Sequence, residues 1–159
     1  HNKITDNVRL VMNFQNFLIR IFKFLITGKR VIQEMQKIYE CKKPKTKLIK
    51  IPCAAGCFLL VRSSIFKNIG GFDENFFLYC EDLDLTRRIS NAREGLYLDL
   101  NSKINHHGRR SSHSNQILFF IHIYSVIKYF KKWGILDLEA SKTNAKWINY
   151  IKTFSSKIL

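Results

Sequence analysis

Apolar and polar positions alternate with different periods along the chain, and each change of period marks an expected element. From Val8 to Thr27 the polar residues Arg9, Asn13, Asn16, Arg20, Lys23 and Thr27 fall at alternating spacings of four and three. That is one narrow polar stripe on an otherwise apolar helix. Arg20 and Lys23, with Gln15, argue against a membrane-spanning helix, because charge at bilayer depth is expensive; a helix lying in the membrane interface, or one packed on protein, fits. Lys42–Lys50 (KKPKTKLIK) reads as a basic linker broken by Pro44, with a boundary near Lys50. Cys57–Arg62 (CFLLVR) predicts a buried strand between Gly56 and the Ser63–Ser64 pair, which would cap a short helix over Ile65–Ile69 before a turn at Gly70–Gly71.

Further along, Leu85, Ile89 and Ala92 recur at helical spacing with Arg87 and Arg88 facing elsewhere, so a helix is expected from Glu81 to a point before Gly95. Leu96–Leu100 (LYLDL) alternates as a strand does, with Lys103–Asn105 as a possible extension. Ile117–Trp133 and Ala140–Ile158 read as two closing helices with basic polar faces. The pattern divides the chain into a basic helical connection (1–50), a central part (51–134) and a C-terminal basic helix (135–159).

Charge makes the centre stand out. Residues 1–50 carry 12 Lys/Arg against 3 Asp/Glu, residues 51–101 carry 5 against 7, and residues 102–159 carry 10 against 2. The net charge of +15 favours anionic partners such as nucleic acid, phosphorylated substrates or acidic lipid headgroups. The 159 residues, 46% of them apolar, suit one core and exclude a disordered chain. Cys41, Cys53, Cys57 and Cys80 lack zinc-ribbon spacing and follow no secretory signal, so they read as reduced, structural thiols in a cytosolic setting.

The candidate chemistry lies in Gly70–Ser90 (GGFDENFFLYCEDLDLTRRIS), where five carboxylates sit among aromatics. Acids in such surroundings are costly unless paired, metal-bound or catalytic. Glu81 and Asp82 are neighbours on the expected helix, so their side chains diverge by roughly 100° and can serve different ends. Two readings stand. One carboxylate, walled by Phe77 and Tyr79, has its basicity raised and acts as a general base; or the group is a helix-start cluster paired with Arg87 and Arg88. Asp82-Leu83-Asp84 spells D-x-D, but inside a helix the two carboxylates do not converge on one ion, so it is read as a decoy. A second polar group, His106 and His107 followed by Arg109 and Arg110, is either a metal- and phosphate-facing loop or a solvated basic loop.

Taken in order, GGFDE (Gly70–Glu74), F-x-Y-x-E-D-x-D-L (Phe77–Leu85), a Gly-led strand (Gly95–Leu100), an H-x4-S loop (His106 to Ser111) and the helix IYSVIKYFKKWG (Ile123–Gly134) resemble the C-terminal part of the catalytic domain of family 2 glycosyltransferases, in particular its rhamnosyltransferase-like branch. The resemblance runs from about Ile51 to Gly134. It implies an α/β fold, the C-terminal half of a GT-A (nucleotide-diphospho-sugar transferase) fold, with few short strands and flanking and closing helices. It also implies an inverting transfer from a nucleotide-sugar donor in which Asp82 is the base and Glu81 its neighbour. Asp73 and Glu74 would then lie on the acceptor side with Arg109 and Arg110 binding substrate, and His106, less surely His107, would lie near a divalent metal, Mg or Mn, in the complete enzyme.

The same resemblance leaves the nucleotide-binding half and its D-x-D without a counterpart here, and the first residue is His1. The expectation is a fragment, inactive alone, whose partners are the donor, a lipid-linked glycan acceptor, the missing N-terminal half and the anionic inner face of the plasma membrane, with rhamnose as the sugar by analogy. The alternative is a non-catalytic basic module on nucleic acid or anionic membrane. No nucleic-acid motif is present and the acidic centre repels phosphate, which sets nucleic acid aside as the less favoured partner.

Overall fold

The computed structural model describes residues 8–14, 17, 18, 48–102, 104–106 and 115–158, the side chains of 155–158 excepted. Within them the chain is mixed α/β, with few short strands and four helices. The strands are β1 (Val8–Arg9), β2 (Leu48–Lys50), β3 (Cys53–Ala54) and β4 (Tyr97–Asp99), and the helices are α1 (Ser63–Asn68), α2 (Glu81–Asn91), α3 (Gln116–Trp133) and α4 (Leu138–Ile158). The strands form two antiparallel pairs. In β1–β3, Val8 faces Ala54 and Arg9 faces Cys53; in β2–β4, Leu48 faces Asp99, Ile49 faces Leu98 and Lys50 faces Tyr97.

The helices follow the sequence pattern, and their ends have identifiable causes. α3 begins where the Asn115 side chain accepts the amide hydrogens of Ile117 (2.9 Å) and Leu118 (3.3 Å), and it ends at Gly134, whose φ of +84° suits glycine. α4 begins two residues before the expected Ala140, because Asp137 caps it by accepting the Ala140 amide hydrogen at 2.8 Å. The turn after α1 places Gly70 and Gly71 at φ +79° and +67°.

Several local expectations give way to tertiary structure. Val8–Arg9 is a strand and not the start of a helix, because a two-residue segment takes its conformation from its partner, here β3. The helix expected from there to Thr27 otherwise lies mostly outside the described residues, as does Cys41. Leu48–Lys50, the end of the expected linker, is β2, with Ile49 fully buried between two exposed neighbours. Cys57–Arg62 is not a buried strand: Leu60 is 94% exposed and Phe58 62%. The strand lies upstream at Cys53–Ala54, because the surfaces that can cover a strand, β1 and α2, meet the chain there. Ser63 and Ser64 occupy the first turn of α1 without capping it, since the N-cap is Arg62. β4 stops at Asp99, whose carboxylate draws in Asn101 N–H (2.9 Å) and the Ser102 hydroxyl (2.6 Å), so Ile104 and Asn105 do not extend it.

α2 is the central element. Leu83, Leu85 and Ile89 are buried in it together with the polar Asp84, Thr86 and Arg87, while Ala92 is exposed at its C-cap. The sequence turns Arg87 outward, but its guanidinium lies 4.0 Å from the Trp133 ring centroid, donates to the Tyr129 hydroxyl at 3.1 Å and pairs with Asp137. A buried cation is tolerated there because aromatic faces and one carboxylate surround it. One core gathers Val11, Met12, Cys53, Phe76, Leu83, Val126, Tyr129 and Phe130; a second joins Ile49, Ile51, Ala54, Trp147 and Ile151. No described helix is long and apolar enough to cross a membrane.

The two placements make opposite demands on two leucines. Leu85→Ala, at 1% exposure, should cost about 2–5 kcal/mol in urea unfolding. Leu60→Ala should stay within about 0.5 kcal/mol, where a buried strand would have made it as costly as Leu85.

Candidate active site

The acidic run enters α2 through an unusual backbone. Tyr79 and Cys80 both have left-handed φ, +68° and +66°. For non-glycine residues this costs about 1–3 kcal/mol each and persists only where surrounding structure holds it. α3 does so: the Ser125 hydroxyl donates to the Leu78 carbonyl at 2.6 Å, the Tyr79 ring lies 4.7 Å from that of His122, and the Cys80 side chain is buried in the α3-lined core. The start of α2 is thereby fixed in position.

Three carboxylates in its first turn meet three different fates. Asp84 is fully buried. Its oxygens accept Arg88 Nε (2.8 Å) and Trp133 Nε1 (2.9 Å) and pair with Lys132 Nζ (2.8 Å). An ionised carboxylate so deep in the protein needs this set of donors. Lys132 also reaches Asp73 Oδ2 at 2.6 Å, and Arg88 Nη1 donates to the Ile69 carbonyl at 2.6 Å. Both ends of the GGFDE segment are thus tied to the same cluster. The Lys132 hydrogen bond, aided by the Asn75 amide, holds Asp73 down from 3.8 to about 2.

Asp82 is only partly buried, and no cation pairs with it among the described residues. Its Oδ2 accepts the Gly56 amide hydrogen at 2.7 Å and its Oδ1 that of Leu83 at 2.8 Å. Neutral amides orient a carboxylate without neutralising it, and a helix N-terminus favours negative charge. A Cβ on Gly56 would stand 3.0 Å from Asp82 Cβ and 3.3 Å from Oδ2, so glycine is required for this approach. Below it, Thr86 donates to the Asp82 carbonyl at 2.8 Å and lies 3.2 Å from the Cys53 sulfur, joining the site to β3. Burial pushes that thiol up to about 11, which keeps it protonated and inert.

Glu81 has one carboxylate oxygen buried with no hydrogen-bond partner among the described residues. Burial, and then the adjacent Asp82 charge, raise its proton affinity against the opposing pull of its own amide. The two neighbours therefore differ, as their divergence on the helix implies. Asp82 and Asp84 likewise have separate partner sets and do not converge on one point.

The other sequence candidates are dispersed. Asp73 is committed to Lys132, whereas Glu74 is exposed. Phe77, expected to wall the site, is 86% exposed, because the turn before α2 throws it outward while Phe76 takes the core position. His106 is exposed; His107, Arg109 and Arg110 lie outside the described residues. Among the described residues no three His, Cys, Asp or Glu side chains converge as metal ligands, so these residues by themselves do not fit a divalent-metal site. The sequence reading missed Gly56, Lys132 and Trp133. Lys132 and Trp133 close the IYSVIKYFKKWG helix, and their spacing from Asp84 carries no local signal. Gly56 was visible only as punctuation.

With this geometry in place, similarity to known proteins acquires a structural meaning. The chain is 35% identical to rhamnosyltransferase WbbL of Escherichia coli (strain K12) across 72% of its own length and 45% of the relative's. It is 53% identical over 38 residues to N-acetylglucosaminyl-diphospho-decaprenol L-rhamnosyltransferase of Mycobacterium tuberculosis (strain H37Rv), a match covering 24% of this chain and 12% of that protein. The match thus spans about half the length of the E. coli relative and a smaller share of the mycobacterial one. No family model and no solved structure matches. The chain is homologous to rhamnosyltransferases, which supports a glycosyltransferase at the general level.

The Asp84 cluster makes two measurable demands. Lys132→Met should cost about 1.5–3 kcal/mol in urea unfolding at neutral pH, because it removes one of the two cations on buried Asp84 and leaves Arg88, whereas Lys131→Met, outside the cluster, should change stability by less than about 0.5 kcal/mol. Because Asp73 has its folded pKa depressed, its contribution is present at neutral pH and is lost as pH falls from about 4 to about 2. Asp73→Asn should therefore flatten that limb of the stability–pH curve, measured by thermal unfolding at stepped pH.

Proposed function

We propose that this chain carries the acceptor side of an inverting, family 2 (GT-A type) glycosyltransferase site, with Asp82 as the base. The observation that carries the reading is the contrast within one helical turn. Asp84 is fully buried and paired with two cations, Arg88 and Lys132, whereas Asp82, partly accessible, is aimed by two amides and paired with no described cation. Asp82 takes the proton of an acceptor hydroxyl as its oxygen attacks the anomeric carbon of the donor sugar, and the bond to the nucleotide diphosphate breaks on the opposite face. Glu81, whose proton affinity is raised by burial and by the adjacent Asp82 charge, is its first-turn neighbour. Asp73 and Glu74 belong to the acceptor rim, and the 107–110 loop to the diphosphate.

The relatives' names support a more specific form of the proposal: rhamnose as the sugar, delivered to a diphospho-polyprenol-linked N-acetylglucosamine; the cytoplasmic face of an anionic membrane is the setting proposed from the chain's net charge of +15. Donor binding, and the divalent metal the resemblance implies, belong in this proposal to a nucleotide-binding half that supplements the residues described above. Nucleic acid stays the less favoured partner, because exposed Glu74 and partly accessible Asp82 leave acidic groups at the surface of the site that repel phosphate.

Transfer from nucleotide-activated rhamnose to a short-chain N-acetylglucosaminyl-diphospho-prenol, assayed with the nucleotide-binding half of the E. coli relative supplied, tests the assignment. Asp82→Asn should lower the rate by about 10²–10⁴-fold with acceptor binding retained. Gly56→Ala, which displaces the same carboxylate, should lower it by at least about tenfold without a matching loss of stability. An Asp82→Asn protein as active as wild type would refute the base assignment.

A further inference from the structure

α3 has an outer face that its place in the fold does not explain. Ile117, Phe120, Tyr124, Ile127 and Lys131 lie at successive spacings of three and four, so they form one stripe along the helix, and all five are exposed. Phe119 stands exposed beside them. The opposite face is already buried through Val126, Tyr129, Phe130 and Trp133. A helix apolar all round normally lies within protein or lipid. The neighbouring helix α4 shows the ordinary pattern instead, presenting Glu139, Lys142, Lys146, Asn149 and Lys152 outward.

The charge around the stripe identifies what it meets. No Asp or Glu occurs between Asp99 and Asp137, and α3 itself carries only positive charge. The two acids that approach α3 from α2 and the GGFDE turn, Asp84 and Asp73, share Lys132, and Asp84 is also paired with Arg88, so two cations face two carboxylates there. Lys128 lies 4.5 Å from the Tyr124 ring, and exposed Lys131 continues the stripe. A row of aromatic and branched apolar side chains ending in unopposed lysines matches the boundary between acyl chains and anionic headgroups. A protein partner of opposite charge would satisfy the lysines, but along the rest of the stripe only the Tyr124 hydroxyl is polar, too little for the hydrogen bonds such an interface carries.

We propose that the Ile117–Phe120–Tyr124–Ile127–Lys131 face of α3 docks on an anionic lipid surface, lying in its plane. This deepens the membrane side of the proposed function and is independent of the sugar chemistry. Because Ser125, Lys128, Lys132 and Trp133 on the same helix hold the turn before α2, such docking would set the acidic site at a fixed height above the headgroups.

Flotation of the chain with phosphatidylcholine vesicles, with and without about one-third phosphatidylglycerol, provides the test. Wild type should float with the anionic vesicles and release as salt rises. Phe120→Ser combined with Ile127→Ser should weaken binding by at least about tenfold, Lys131→Glu should abolish the preference for anionic lipid, and Leu60→Ser, an exposed apolar control elsewhere, should change nothing. A Tyr124→Trp protein should gain emission over wild type that brominated lipid quenches, a readout that does not depend on the stripe variants folding well. Equal flotation with neutral vesicles, unchanged binding of the stripe variants, or added emission from the Tyr124→Trp protein that brominated lipid leaves unquenched would overturn the proposal. A stripe-dependent dimer in sedimentation, without vesicle binding, would also overturn it by assigning the face to a second copy. Binding of a short-chain acceptor analogue in solution stands or falls with the transferase reading alone, so the two failures are distinguishable.

Discussion

A carboxylate with no access to water has to be met by donors from the protein, and in this chain Asp84 imposes that constraint on most of its surroundings. Satisfying it recruits Arg88 from one turn along the same helix and Lys132 and Trp133 from the end of α3. Those residues carry their other contacts with them. Lys132 brings Asp73 and the GGFDE turn, Arg88 brings the Ile69 carbonyl after α1, and Trp133 offers its face to Arg87. One buried charge thereby joins α2, α3 and the loop between α1 and α2 into a single unit. Removing one partner strands the others, which is why such a cluster specifies an arrangement more strongly than its net energy suggests.

The geometry of Asp82 follows from that fixed frame. Two residues from Asp84 along the helix, Asp82 points to a different side and meets the backbone of Gly56. The strained Tyr79–Cys80 entry, held by Ser125 and His122, sets the axial position of the first turn, and the absence of a Cβ on Gly56 sets how closely the 53–56 segment approaches. Asp82 is thus oriented by amides and paired with no cation among the described residues, which is the ground on which the base role is proposed for it. The adjacent Glu81 differs from it, its proton affinity raised by burial. Acids two residues apart are thus placed in different surroundings, one held by cations and one by amides, and the proposed transferase reading assigns them different roles.

The long helices were legible because their apolar positions repeat over many turns: α2, α3 and α4 stand within a few residues of where periodicity puts them. Short strands were not. Val8–Arg9 and Cys53–Ala54 are two residues each, too short to show alternation, and they exist because they pair with one another. The run at 57–62 was apolar enough for a buried strand but is covered on one side only, where Leu59 packs on the second core while Phe58 and Leu60 stay exposed. Within the site, the divergence of Glu81 and Asp82 and the non-convergence of D-x-D follow from helix geometry and were readable. The inward turn of Arg87 and the service of Lys132 to two acids depend on residues 42 to 59 positions apart in sequence, a relation that local spacing does not encode.

A crystal structure of the chain with a short-chain N-acetylglucosaminyl-diphospho-prenol bound tests the division between Asp82 and Asp84 most directly. The account predicts an acceptor hydroxyl about 2.6–3.2 Å from an Asp82 carboxylate oxygen, with Asp84 still held by Arg88, Lys132 and Trp133. An acceptor hydroxyl seated on Asp73 or Glu74, or an Asp84 released from its donors toward the ligand, would contradict it.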